Sequence, residues 1–397
     1  MHQLINKYKK KKVVMAFATF ILILLLFFLY LGIKTPAAIP HGQTTLSFPQ
    51  RISRGFSNLQ ESVGFKQKSA QISPMPESPS QGLKTKQATF TAKQIADATV
   101  SYLDKQRRPD GFYDFVAHFQ DTCKNPTDPS SCLFGANNSF EEANMWTMLG
   151  YLGYYQNFDK NPQNLSKAVA DADSLAAHCR EKSNLCLATL TQFSELYKET
   201  KNEAYKELLS QLGNLLLNET KTSEMMTLGI HAREFAQLYE IWGDPRFLEA
   251  SQQRIKTMQA ASNKFVEKNG KDNDACYLIA AKYEVSKATN DTDTKQEIKK
   301  FFLENREETV STQMTFIQPC IETAIHFGRD THDDFMTKTG DALLTKYVQE
   351  RWDGPGLQRK YQEGGFLMDK ERSIVNVTDT GYMLYILSLR PEKTYVF

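Results

Sequence analysis

The sequence contains no HExxH motif and no CxxC pair, so the common helical zinc site and the paired-cysteine metal site are both missing. No metal ion or other cofactor is therefore expected. It also has no basic stripe and no recognised nucleic-acid motif, and its formal net charge is only +2. Nucleic acid is disfavoured as a partner on those grounds.

Charge is missing altogether from residues 13–33, VVMAFATFILILLLFFLYLGI, a run of 21 positions. At about 1.5 Å per residue such a helix spans roughly 30 Å, the hydrocarbon thickness of a bilayer. Acid is missing from the segment before it, 1–12, which carries Lys7, Lys9, Lys10, Lys11 and Lys12. By the positive-inside rule this basic tail is cytoplasmic, 13–33 is a transmembrane helix in the lipid bilayer, and the C-terminal domain is extracytoplasmic. A cleaved signal peptide is the alternative. Its apolar region would be about 7–15 residues long, shorter than this one, and Ala37-Ala38 is a weak cleavage site.

Sustained apolar periodicity is missing from 34–90, which is rich in Pro, Ser, Gln, Thr and Lys and reads as a disordered linker. Its end-to-end distance would be on the order of 40 Å. All six cysteines lie beyond it: Cys123, Cys132, Cys179, Cys186, Cys276 and Cys320. An even number in an oxidising compartment suggests disulfides. The first two pairs could close small loops and Cys276/Cys320 a long one, although six cysteines permit many pairings.

Residues 91–397 carry a repeat. An apolar helix ends near an aromatic, a short polar turn follows, and a second amphipathic helix begins. The marker aromatics Tyr155, Tyr197, Tyr239, Tyr283 and Phe327 are spaced by 42, 42, 44 and 44 residues. A period in the forties with two helices per unit indicates stacked helical hairpins. The first members are expected at 141–156, 185–198, 228–242, 273–288 and 314–328. Their partners are expected at 163–180, 202–217, 245–265, 293–304 and 331–351. The last apolar helix, 377–389, has no partner after it, and an unpaired helix stands at 91–106. Pairing first with last makes six hairpins, an all-α closed toroid. An open superhelix would instead end in polar capping repeats, and the tetratricopeptide kind has a period nearer 34 residues.

This layout resembles the six-hairpin (α/α)6 toroids of carbohydrate-active enzymes, which include glycoside hydrolases, sugar epimerases and polysaccharide lyases. Local support comes from "QRRPDGFYDF" (106–115) and "EGGFLMDKERSIVNVTDTGYMLYILSL" (363–389), which look like the glycine–aromatic turns and short β-hairpins of such toroids. No single family's catalytic signature matches. The resemblance implies a substrate bowl at the N-terminal ends of the inner helices, walled by the long loops 107–140 and 352–376. It implies a glycan ligand and, first, glycosidic hydrolysis; lyase chemistry ranks second.

Hydrolysis needs two carboxyls, one protonated and one ionised. Asp110 in the first long loop, Glu142 in "NNSFEEANMW", Asp274 before the fourth inner helix and Asp379 opening the sixth are the candidates. Each could instead be a turn or helix-start acid. In "GIHAREFAQLYEIW", His231 and Arg233 are expected near the positive end of the third inner helix, where cations are disfavoured. They would suit a substrate carboxylate; the alternative is a core histidine and an arginine paired with Glu234 or a neighbouring acid. Phe112, Tyr113, Trp146 and Trp352 are candidate stacking faces for sugar rings. The resulting reading is a membrane-anchored extracytoplasmic glycoside hydrolase acting on a cell-envelope or extracellular glycan. The competing reading is a non-catalytic toroid scaffold that binds a glycan or a protein. A mouth filled by side chains, or lined only by paired acids, would favour the second.

Overall fold

The computed structural model describes residues 87–116, 139–140, 143–181, 186–219, 222, 224–269, 275–305, 317–369 and 374–397. The basic tail, the apolar run 13–33, most of the linker, Glu142, Asp274, Cys123 and Cys132 lie outside them. Among the described residues, no helix is long and apolar enough to cross a membrane.

The chain opens with strand β1 (Thr89–Thr91) and helix α1 (Ala92–Gln106), then the short strands β2 (Tyr113–Asp114) and β3 (Ser139–Phe140). Ten helices follow: α2 (Asn144–Asn157), α3 (Pro162–Glu181), α4 (Leu190–Thr200), α5 (Glu203–Asn218), α6 (Met225–Trp242), α7 (Pro245–Asn269), α8 (Ala275–Thr289), α9 (Thr292–Glu304), α10 (Gln318–Thr331) and α11 (Asp334–Arg351). Strands β4 (Trp352–Asp353), β5 (Gly365–Asp369) and β6 (Ile374–Asn376), helix α12 (Val377–Ser388) and strand β7 (Thr394–Val396) complete it. The expected hairpins all form, with ends shifted by a few residues. Strand β1 includes Thr89 and Phe90, which precede the expected domain start at 91.

The even-numbered helices are buried on nearly every side. In α10, residues 317–325 are all buried, and 327 and 328 as well. The odd-numbered helices bury a single stripe, as Tyr205, Leu208, Leu209, Leu212 and Leu216 do in α5. A helix apolar all round must be enclosed, and a one-striped helix must face solvent. Hence the even helices form an inner ring and the odd ones an outer ring. The inner ring closes: α2 contacts α4, α4 contacts α6, and so on through α12, which packs back on α2.

Two devices seal the closure. Helix α12 packs against α1, and β1 pairs antiparallel with β7, Thr89 opposite Val396. First and last helices therefore make the sixth hairpin. At the α2–α12 seam, Gly150 and Gly381 face each other so closely that a Cβ on Gly150 would come 2.6 Å from the Gly381 carbonyl oxygen. A Cβ on Gly381 would lie 2.7 Å from the Thr147 backbone nitrogen. Only glycine permits this approach.

Four of the turns leaving the inner helices share one construction. Lys201, Gly243, Asn290 and His332 take left-handed backbone angles that end a helix. Each is followed by an Asn or Asp that caps the next one. The side-chain oxygens of Asn202, Asp244, Asp291 and Asp333 accept from backbone N–H groups at 2.9–3.0 Å. These tight turns make one face of the ring compact.

Disulfides join Cys179 to Cys186 and Cys276 to Cys320. The first ties the end of α3 to the segment entering α4. The second clamps the first turns of the neighbouring inner helices α8 and α10.

Candidate functional site

In sequence the connections into the inner helices are longer than those out of them, and the described parts of the two longest, 107–116 with 139–140 and 352–369 with 374–376, lie before α2 and α12. They are tied together: Val116 bridges Asn376, and the Val377 N–H donates to the Phe115 carbonyl at 3.0 Å. Strands β2–β3 and β4–β5–β6 are the short hairpins expected in these loops.

Where the inner helices converge at this mouth, Trp146 stacks on Tyr382 with ring centroids 4.0 Å apart and planes inclined by 24°. Tyr277, Ile230 and Pro319 continue the apolar lining, and Gln192 and Arg233 contribute the polar groups. The enclosed space at this level is about 20 Å³, the room of one or two water molecules. Gln192 is 2% exposed, and its side-chain oxygen has no hydrogen-bond partner.

The floor is a buried ionic cluster spanning three inner helices. The Arg233 guanidinium makes two hydrogen bonds to Glu322, one of them 2.9 Å, and lies 3.5 Å from Glu284. The Tyr382 hydroxyl donates to the same Glu322 carboxylate. Burial alone would depress the Arg233 pKa, but Glu322, Tyr382 and Glu284 outweigh it and hold the guanidinium firmly charged. Burial likewise acts to raise Glu284, yet Lys287 and Arg233 prevail and keep it below its ordinary value.

The structure separates the sequence candidates. Trp146 and Arg233 meet in the mouth. Arg233 is the ninth residue of α6, because the helix starts at Met225 and not at 228, so it is clear of the positive helix end. Its charge is accounted for by Glu322 and Glu284 and needs no ligand to explain it. Glu234, the expected partner, instead accepts the Leu190 backbone N–H at 2.9 Å. That carboxylate supplies the cap that Thr189 does not provide for α4.

His231 is displaced from the mouth. It is 3% exposed, and burial followed by the charge of Arg254 lowers its pKa to about 3, so it is a neutral core group. Tyr113 is also buried and donates to Asp171 at 3.0 Å. Asp171 itself, buried beside Arg107 at 3.1 Å, takes a further hydrogen bond from Thr147 and pins the base of the first mouth loop.

Trp352 is fully buried. Its indole N–H donates to the Gly364 carbonyl at 3.2 Å, and its ring packs between Phe90 and Phe397 at the closure of the chain ends. Neither Tyr113 nor Trp352 offers a face to a sugar. Phe112 is half-buried, edge-on to His178.

Asp110 pairs with Arg108 at 2.5 Å and accepts the Phe112 N–H at 3.2 Å, which makes it a turn residue on the rim. Asp379 is different. It belongs to the first turn of α12, whose cap Asn376 accepts the Asp379 N–H at 2.6 Å and donates back to its carboxylate at 3.2 Å. Gln318 of α10 donates to the other oxygen at 3.0 Å. Burial raises its pKa to about 6, against Arg351 and Gln318, which lower it.

Glu322, Glu284, Tyr382 and Tyr277 were not among the candidates, although a signal for them exists. Counted from the marker aromatics, positions −9, −6, −2 and +1 follow one face of a helix. Position −6 is Leu149, Thr191, Arg233 and Tyr277, and all four line the axis. Position −9 is Trp146, Ala188 and Ile230 at the mouth; positions −2 and +1 bring in Glu195, Gln237, Lys198 and Glu284 deeper down. In α10 the stripe is offset by one residue, giving Pro319, Glu322, His326 and Arg329. His231 falls at −8, off the stripe, and its side chain accordingly leaves the axis.

No family model matches the chain, and no curated protein matches it. Solved structures share its fold. An inactive variant of the glycoside-hydrolase family 76 α-1,6-mannanase of Salegentibacter sp. HEL1_6, in complex with α-1,6-mannotriose, aligns with a TM-score of 0.56 at 10% identity. The alignment covers 76% of this chain and 99% of that one. A family 76 α-mannanase of Bacteroides thetaiotaomicron aligns with a TM-score of 0.52 at 12% identity, over 75% of this chain and 95% of that one. The unsaturated glucuronyl hydrolase of Bacillus sp. GL1, responsible for the degradation of glycosaminoglycan, gives 0.52 at 10% identity, over 75% and 95%. At such identities the likeness is one of fold: the ring is the (α/α)6 toroid of these carbohydrate-active enzymes.

Proposed function

We propose that this chain is a membrane-anchored glycoside hydrolase that acts on a cell-envelope or extracellular glycan. Residues 13–33 would hold it in the bilayer with 1–12 in the cytoplasm, and 34–90 would tether the ring outside. The observation that carries the reading is the aromatic mouth, where Trp146 and Tyr382 stand over a polar floor. Aromatic faces bind the apolar faces of pyranose rings, and the unpartnered Gln192 oxygen would accept from a sugar hydroxyl. Fold alone does not assign chemistry, so the toroid neighbours lend support only through the class of ligand their names record.

The chemistry then needs a proton donor and an ionised partner. Asp379 suits the donor, because burial holds its pKa at about 6 and keeps part of it protonated near neutrality. In sequence it stands three residues before Tyr382, as Trp146 stands three before Leu149. In sequence register Asp274 shares this layer, and Glu142 lies just before α2; these two are the proposed sources of the ionised carboxylate. The inactive neighbour carries substitutions at two adjacent aspartates; Glu141-Glu142 is an adjacent acidic pair that precedes α2 in this sequence. Asp110 is the weakest of the four, being committed to Arg108.

The test is turnover. Full-length protein in detergent would be incubated with α-1,6-mannooligosaccharides, unsaturated glucuronyl oligosaccharides and a panel of envelope glycans. Release of reducing ends by the wild type, lost in Asp379→Asn and Glu142→Gln but retained in Asp110→Asn, is the expected result. Protease added to intact cells should remove the ring if it faces outward; protection from protease would defeat the proposed topology.

One observation favours the scaffold reading. The mouth is narrow at the level of Arg233, and the acids below it are paired with Arg233. Saturable glycan binding that requires Trp146, without turnover on any substrate, would establish that alternative.

A further inference from the structure

Below the Arg233–Glu322 floor the axis opens again, into a cavity of about 140 Å³ that shares only Thr191 and Arg233 with the mouth. We propose that this rear cavity is a second ligand site, distinct from the mouth, and that it takes a small neutral polyhydroxyl molecule on the scale of a monosaccharide.

The charge pattern of the walls specifies neutrality. Lys198 lies 2.8 Å from Glu195, Lys287 lies 3.3 Å from Glu284, and Arg329 lies 3.1 Å from Asp330. Arg233 and Glu322 make the fourth pair. Every cation on the wall thus has an acid beside it and the residues that line the cavity sum to zero, with Glu240 a further acid behind Lys287 at 3.0 Å and Lys198 at 3.9 Å. Burial, joined by Arg329 and Arg233, outweighs Glu322 and Glu284, lowers the His326 pKa below the ordinary histidine value and so favours its neutral form. A charged ligand would have to compete with these existing ion pairs for its counter-charge. A neutral polyol meets donors and acceptors side by side, the arrangement that vicinal hydroxyls can bridge.

A second observation points to a ligand. Gln237 of α6 is 3% exposed and lines the cavity, yet its side-chain oxygen has no hydrogen-bond partner. An unpaired buried acceptor costs about 1–3 kcal/mol, and a hydroxyl donor would remove that cost. The Tyr283 and Tyr385 rings supply apolar faces beside it. At about 10–15 Å³ per water-sized centre, the volume admits roughly ten such groups, the scale of a hexose. The tight turns between inner and outer helices lie at this end of the ring, so the opening is bounded by ordered backbone.

This site does not depend on hydrolysis at the mouth. Full-length protein in detergent would be titrated calorimetrically, at pH 7, with D-glucose, D-mannose and myo-inositol, and with D-glucuronate and D-glucosamine as charged counterparts. At least one neutral probe should bind saturably, about tenfold or more tighter than either charged one. Gln237→Leu should weaken that binding about tenfold, whereas Trp146→Ala at the mouth should leave it unchanged. Lys198→Met leaves one acid unpaired and should turn the preference toward D-glucosamine, a readout independent of whether Gln237→Leu folds. The proposal is overturned if no neutral probe saturates, if binding vanishes in Trp146→Ala, or if Lys198→Met keeps the wild-type preference.

Discussion

Replacing Arg233 with Met would test whether the axial ion cluster holds the ring together. Among the described residues, the guanidinium is what bridges Glu322 on α10 and Glu284 on α8 from α6, at 2.9 Å and 3.5 Å. At an effective dielectric of 20, each contact amounts to about 5 kcal/mol of Coulomb attraction, offset by the desolvation of all three groups. Removing one partner of a buried pair leaves that desolvation uncompensated and typically costs about 3–5 kcal/mol. Glu284 retains Lys287 at 3.3 Å, so the loss falls mainly on Glu322. Urea unfolding of the oxidised protein should therefore show Arg233→Met destabilised by about 3–5 kcal/mol, with a melting temperature roughly 6–15 °C lower. The double variant Arg233→Met/Glu322→Leu removes both charges and leaves only the Tyr382 hydroxyl without its acceptor, at about 1–3 kcal/mol. It should be more stable than Arg233→Met alone. A single-variant loss under about 1 kcal/mol, or a double variant whose loss equals the sum of the singles, would refute the pairing as a structural tie.

Other consequences can be checked by the same methods. The Asp171 pKa is raised from 3.8 to about 7, chiefly by burial, with Thr147, Arg107 and Tyr113 acting the other way. A raised carboxyl pKa favours the fold below the unfolded value and loses that advantage as pH rises, so stability should fall between about pH 4 and 7, by on the order of 4 kcal/mol. Asp171→Asn should flatten that slope in pH-dependent unfolding; an unchanged slope would assign it to other groups. Gly381→Ala pushes a methyl against the α2 backbone and should cost about 1–3 kcal/mol, whereas Gly243→Ala, with open space around its Cβ, should cost only the strain of its left-handed angle. Equal losses at the two sites would argue against the close α2–α12 seam. The Cys276–Cys320 loop spans 44 residues and the Cys179–Cys186 loop 7, so chain entropy makes the first bridge more stabilising by about 1.6 kcal/mol. Serine pairs at each site, compared by denaturant midpoint, should fall in that order.

Much of this architecture was legible before any coordinates. The aromatic markers at intervals of 42–44 residues located every hairpin, because helix length and turn chemistry are local. The apolar character of 377–389 and the unpaired 91–106 pointed to closure, since an exposed end would need a polar face. Trp352 misled because it follows a long helix in a loop-rich stretch. Its burial depends on Phe90 and Phe397, which arrive from opposite ends of the chain. His231 misled because a helix start placed three residues late put it near a positive helix end, and because facing was not read from the repeat.

By itself, then, the sequence determined the helical-hairpin repeat, which rests on periodicities within a few dozen residues, and it implied the count of six and the pairing of first with last through the unpaired helices at 91–106 and 377–389. It also determined the uncharged run at 13–33, whatever use the cell makes of it. A helix buried on all sides has too little amphipathic contrast to announce its orientation, so tertiary structure decided that the stripe at −9, −6, −2 and +1 is the side facing the axis. It alone brought Arg233 to Glu322, 89 positions apart. Ring closure sets that meeting, and with it the partition of the axis into an aromatic mouth and a charged rear cavity.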